Sequence, residues 1–169
     1  MDQLSTYAAF AEIFGALAIV IGGLFAVLQI AEFRRRRTYQ VAADLCRGFM
    51  EPELAKAVTL IRSLPDGVSL DDLRERDPIY EEAAQTVSMT FETMGLLVHR
   101  GIASFEIVQQ LTGGLLLMMW RKVGTWIAET REVESNPRFG EWVQWLAERV
   151  EERESDLEPA HLAYADWSG

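Results

Sequence analysis

The chain is poor in the residues that crosslink, coordinate or interrupt. Its 169 residues include one cysteine, two histidines and five prolines. A lone Cys46 excludes an internal disulfide framework and any CxxC metal site, and it fits a reducing compartment. It reads as a small apolar residue on a helix, with acylation near a membrane as the sharper alternative. Neither His99 nor His161 has a nucleophile beside it in sequence. Glu92 and His99 are seven apart, which is not the Glu-x-x-His spacing of a di-iron bundle. No Gly-rich phosphate loop, GxSxG or HExxH occurs. The sequence therefore offers no catalytic, cofactor-binding or metal-binding residue, and it reads as a non-enzyme.

Positive charge is also scarce. Lys and Arg total 16 against 26 Asp and Glu, for a formal net charge of −10. Four of those 16 are consecutive, Arg34, Arg35, Arg36 and Arg37, so the remainder is more acidic still. That balance excludes nucleic acid, whose phosphates need a concentrated basic surface. Period-2 strands, internal repeats and low-complexity tracts are missing too, which leaves an all-α reading.

What the chain does have is a long apolar run. Residues 13–31 read IFGALAIVIGGLFAVLQIA, with no charge and one polar side chain, Gln29. At ~1.5 Å per residue a helix of that length spans about 28 Å, near the thickness of a bilayer's hydrocarbon core. A signal peptide is disfavoured, since no basic n-region precedes the run and no A-x-A cleavage signal follows it. The four arginines behind it form a stop-transfer pattern, and no Lys or Arg comes earlier. A single-pass transmembrane helix is expected, with the N-terminus outside and the rest in the cytoplasm. Glu12 is expected at the outer headgroups. The arginines are expected to contact the membrane surface.

Small residues recur along this helix at Ala8, Ala11, Gly15, Ala18, Gly22 and Ala26, and Gln29 follows on the same stripe. In lipid, helices associate through close backbone packing, which such a face permits. Ala11, Gly15, Ala18, Gly22, Ala26 and Gln29 are the candidate oligomerisation residues.

Past the arginines the helical period continues through Val41, Ala42, Leu45, Cys46 and Phe49. Pro52 suits a first helical position for a helix with Leu54, Ala57, Val58 and Ile61 on one side. Leu64-Pro65-Asp66-Gly67 is a strong turn. Ser69 is expected to cap a short, charged, exposed turn. Asp77-Pro78 opens a helix with core positions Tyr80, Ala84, Val87, Phe91, Met94 and Val98, closed by Gly101. Ser104 is expected to cap the next helix, which would place Val108, Leu111, Leu115, Met118 and Trp126 inward. Its ten-residue apolar run, 111–120, is too short to span a membrane. The glycine pair Gly113-Gly114 within it implies a close helix crossing or local unwinding. Asn136-Pro137 is expected to start a last helix with Phe139, Trp142, Val143, Leu146 and Val150 inward. Trp145, on its flank, is the candidate exposed partner contact.

The organisation expected is thus an anchor over 1–37, a cytoplasmic bundle of four to five helices over 38–153, and an acidic, loosely ordered tail over 154–169.

From Thr90 onward the chain resembles a recurrent bacterial pattern. Its elements are Phe91-Glu92, Arg100-Gly101-Ile102, Phe105-Glu106, Trp120 and Arg131. The pattern is similar to that of an uncharacterised family of small, helical, often single-pass membrane proteins. Thr90 stands where the family usually has Asn. The resemblance implies an architecture and no activity; a bacterial inner-membrane location is expected from it together with the apolar run and the arginines. The function expected is a membrane-tethered interaction or scaffold protein that self-associates through its membrane helix. Its partners would be the bilayer and either a second copy or another membrane protein. An accessory subunit of a larger membrane complex is the alternative, and an enzyme or ligand sensor with an unrecognised site comes third.

Overall fold

The computed structural model describes residues 15, 17, 19–30, 32, 44, 47–49, 51–154 and 158–168. The chain divides into two units, residues 1–41 and 42–169. In the first, residues 19–30 form a continuous helix, and every described residue from 15 to 30 is exposed. Its large apolar side chains are between 52% (Leu17) and 77% (Ile19) exposed. Gly22, Ala26 and Gln29 lie on this exposed helix, and Gly15 is helical and exposed. Among the described residues no helix is long and apolar enough to cross a membrane. The apolar run 13–31 is only partly described; Ala11, Ala18, Arg34, Arg35, Arg36, Arg37 and Cys46 fall outside the described residues.

The second unit is helical as expected, with no strand among its described residues. Helix α1, Pro52–Arg62, starts with proline at a position whose N–H would be unpaired anyway, and buries Leu54, Ala57 and Ile61. The turn after it has Gly67 at φ +69°, a left-handed conformation that favours glycine. Helix α2, Leu70–Arg74, opens on a capping box. The Asp72 N–H donates to Ser69 Oγ at 3.0 Å, while the Ser69 N–H donates to Asp72 Oδ2 at 3.1 Å. The expectation of an exposed charged turn needs correcting here: Leu70 and Leu73 are buried. Two leucines three apart on one short turn are enough to dock it.

Helix α3, Ile79–His99, buries Ala84, Val87, Phe91, Met94 and Val98. Asp77 Oδ1 accepts from the Ile79 N–H at 3.0 Å, so the aspartate does cap the helix start. Gly101 closes the other end at φ +65°, and the Ile102 and Ala103 N–H groups both donate to Leu97 O. Phe49 packs tilted on Phe91, with ring centroids 6.3 Å apart.

Helix α4, Phe105–Val133, departs from expectation in two ways. Ser104 makes no side-chain cap. The buried face holds Val108 and Trp126 as expected, but between them it runs through Thr112, Leu116, Met119 and Val123, while Leu111 is 50% exposed. An apolar stretch such as 111–120 has no polar side to mark the outside. Thr112 can point inward because its hydroxyl donates to Val108 O at 2.8 Å. Gly113 does serve a close crossing: a Cβ there would lie 3.2 Å from Val150 Cγ1.

Helix α5, Glu141–Glu154, begins later than the Asn136-Pro137 pair suggested. Residues 137–140 form a turn instead, with Gly140 at φ +66°. Val143, Leu146, Ala147 and Val150 are buried. Beyond it lies one short helix, α6, Ala160–Ala163, and every described tail residue is exposed.

Candidate functional site

One cluster of polar contacts in the second unit lies where α3, α4 and the start of α5 meet. The first N–H groups of a helix have no partner within it. At α5 two of them, Trp142 and Val143, donate to Glu92 Oε2 at 2.9 and 2.8 Å. Glu92 comes from α3, fifty residues earlier, and its negative charge also suits the positive end of the α5 dipole. Burial raises the Glu92 carboxyl above its ordinary value, opposed by the Val143 and Trp142 N–H groups; Glu141 raises it further and Arg131 lowers it.

Arg131, from α4, holds the preceding turn. Its Nε donates to Phe139 O at 2.6 Å, one terminal nitrogen to Gln144 Oε1 at 2.6 Å and the other to Gly140 O at 3.0 Å. A planar fork of donors can span two carbonyls and a side chain in a way that an ammonium cannot. Two glycines make the approach possible. A Cβ on Gly95 would stand 2.3 Å from Trp142 O, so only glycine lets α3 meet the α5 backbone. A Cβ on Gly140 would stand 2.8 Å from Ile127 Cγ2.

Beside this junction is an open cleft of about 450 Å³ lined by Gln85, Ser88, Met89, Glu92, Glu134 and Arg138. A second cleft of similar volume is lined by His99, Phe105, Trp145, Arg149 and Arg153. Trp145 is half-buried, unlike the exposed side chain expected; it meets His99 edge-on at 5.6 Å and Trp142 at 6.2 Å. His99, in the last turn of α3, packs tilted on Trp142 with ring centroids 4.6 Å apart. Arg153 lies over the Phe105 ring at 4.9 Å. Among the described residues no group of three His, Cys, Asp or Glu side chains could hold a metal ion.

The structure thus brings together two elements of the sequence pattern, Glu92 and Arg131, on opposite sides of one turn. Both act on backbone. A third charged group also acts on backbone and was not singled out in the sequence: Glu129 Oε2 accepts from Leu70 N–H, the first of α2, at 2.6 Å. No local signal marks it, since its partner is 59 residues away.

These features define a small all-helical protein whose best-placed charged groups fasten helix ends. The chain belongs to the family described as Domain of unknown function (DUF4760), which matches residues 16–150. No curated protein and no solved structure matches it. The match agrees with the expected resemblance to an uncharacterised family.

Proposed function

We propose that this protein is a single-pass, membrane-tethered interaction or scaffold protein that self-associates through its N-terminal helix. Its place would be a bacterial inner membrane, with the N-terminus outside and the helical bundle in the cytoplasm. The observation that carries this reading is the exposure of Leu17, Ile19, Val20, Ile21, Leu24, Phe25, Val27, Leu28 and Ile30 on one uncharged stretch. So much apolar surface has to be covered, and lipid solvates it on every side of a helix. The four arginines that follow fit the cytoplasmic flank.

Self-association rests on the face Ala11, Gly15, Ala18, Gly22, Ala26 and Gln29. A Cβ on Gly15 or Gly22 would meet nothing within 4 Å, so a second helix can approach there. Interhelical polar contacts of the kind Gln29 offers contribute about 0.6–2 kcal/mol in lipid.

Two measurements test the reading. In intact cells an impermeant thiol reagent is expected to label Thr6→Cys and spare Cys46; labelling of Cys46 would reverse the orientation. In mild detergent Gly22→Leu is expected to shift the protein to smaller species, whereas Phe25→Leu is not. An oligomer unchanged by Gly22→Leu would remove the membrane helix from the interface.

A further inference from the structure

Helix α4 has an apolar outer face that the bundle does not use. Leu111 is 50% exposed and Gly114 is exposed. Ile107, Leu115 and Met118 are only half-buried. At helical spacing, Ile107, Leu111, Gly114 and Met118 lie along one line, with Leu115 beside it. Gly114 sits at its middle, and a Cβ there would meet nothing within 4 Å. Its neighbour Gly113 is needed for the crossing with Val150; among the described residues none packs against Gly114 closely enough to need it. A glycine inside an exposed helix costs about 1 kcal/mol against alanine.

We propose that this face pairs with the same face of a second copy, antiparallel, across a two-fold axis at Gly114. Charge selects that arrangement. Glu106 lies before the apolar line and Arg121 after it, and both are exposed. They are at nearly equal axial distances from Gly114, about 12 and 10.5 Å. Antiparallel pairing sets each Glu106 near the partner copy's arginine, whereas parallel pairing sets like charge on like. The antiparallel arrangement also opposes the two helix dipoles. An interface of this kind is isologous, so one patch suffices to close a dimer. The glycine at the axis then has a purpose, since it lets the two backbones approach.

A seam of a few helical turns buries less than the ~800 Å² per partner of a standard stable interface. The pairing is therefore weak in dilution and effective when both copies share a membrane, where confinement raises their effective concentration. In that respect it rests on the membrane-anchored reading.

The test is site-directed crosslinking of the full chain in its native membranes. Cys46→Ser removes the only cysteine. In that background Gly114→Cys is expected to yield a dimer band under mild oxidation, because the axis brings the two thiols together. Ala128→Cys, exposed on the same side of α4, is expected to yield none, because antiparallel copies hold those positions about 42 Å apart. Adding Leu111→Lys to Gly114→Cys is expected to abolish the band while the thermal midpoint stays put. Gly22→Leu is expected to leave it, since anchoring alone supplies the confinement. No band from Gly114→Cys overturns the proposal; equal bands from Gly114→Cys and Ala128→Cys overturn the antiparallel axis. Extraction of the chain by alkaline carbonate would count against the membrane reading, and it is read separately from the crosslink.

Discussion

Phe25 and Phe91 are the same residue in opposite surroundings. Phe91 is 1% exposed on α3, while Phe25 is 62% exposed on the N-terminal helix. The contrast extends to their neighbours. In the bundle, apolar residues recur on one face of each helix and polar residues take the other, the pattern of a helix with water on one side. Residues 19–30 are apolar all round except for Gln29. A helix of that kind has no side suited to water. The bundle covers its large apolar side chains with its own core, whereas the N-terminal helix leaves Leu17, Ile19, Leu24 and Phe25 more than half exposed.

Truncating each phenylalanine is expected to give very different results. Phe91→Ala is expected to destabilise the bundle by about 3–5 kcal/mol, through lost transfer energy and a cavity. Calorimetry or chemical denaturation followed by tryptophan fluorescence reads the effect. Phe25→Ala is expected to move the same transition by less than about 0.5 kcal/mol, as for a side chain that is largely exposed. Equal effects would mean that the N-terminal helix belongs to the bundle's core.

Next in size is Gly95→Ala. Its new methyl would overlap a backbone carbonyl, which cannot rotate away, so α3 and α5 would have to part. A loss of about 3 kcal/mol is expected from overpacking. A neutral result would show that the two helices slide freely.

Glu92→Ala leaves two N–H groups at the α5 start without their acceptor, for a loss of about 2 kcal/mol. Glu92→Gln keeps an acceptor oxygen and is expected to recover much of it. Hydrogen exchange at the Trp142 and Val143 amides would localise the change to the start of α5.

The same residue carries a pH dependence with a definite sign. Burial raises the folded-state pKa of Glu92 above its ordinary 4.5, so the folded protein holds this proton more tightly than the unfolded chain. The stability this contributes is fully present below the ordinary value and is lost as pH rises through the raised one. As pH rises from below this ordinary value through the raised one, the unmodified protein is therefore expected to lose stability relative to Glu92→Gln, which has no proton to release. Denaturation midpoints of the two proteins, compared across that range, read the effect. A difference that stays constant would contradict the assignment.

Smallest is Gly114→Ala. It is expected to stabilise the bundle by about 1 kcal/mol in dilute detergent, because an exposed helix gains a better helix former.

Much of the bundle was legible because its signals are local. Asp77-Pro78, Gly101 and the spacing of Ala84, Val87, Phe91, Met94 and Val98 marked α3 from within one stretch of sequence. What escaped depended on distance or on missing contrast. In 111–120 every face is apolar, so only packing could turn Thr112 in and Leu111 out. The start of α5 moved to Glu141 because Glu92 and Arg131, from other helices, stabilise the turn before it and the first amides within it. Glu92 and Arg131 were visible as parts of a pattern, but their meeting on one turn needed the fold. Trp145 looked exposed on a helical wheel and is half-covered by His99 and Trp142, a contact set by how α3 and α5 cross.

The exposed N-terminal helix is proposed to lie in a bilayer. Alkaline carbonate extraction of membranes from cells expressing the full chain tests it most directly, with detection of the protein in pellet and supernatant. Carbonate strips proteins held by charge or by other proteins and leaves those whose helices lie in the hydrocarbon. The account predicts that the protein stays in the pellet, and that a double substitution of Ile21 and Leu24 by aspartate, which places two charges at the centre of the helix, moves it to the supernatant. Release of the unmodified chain into the supernatant would contradict it.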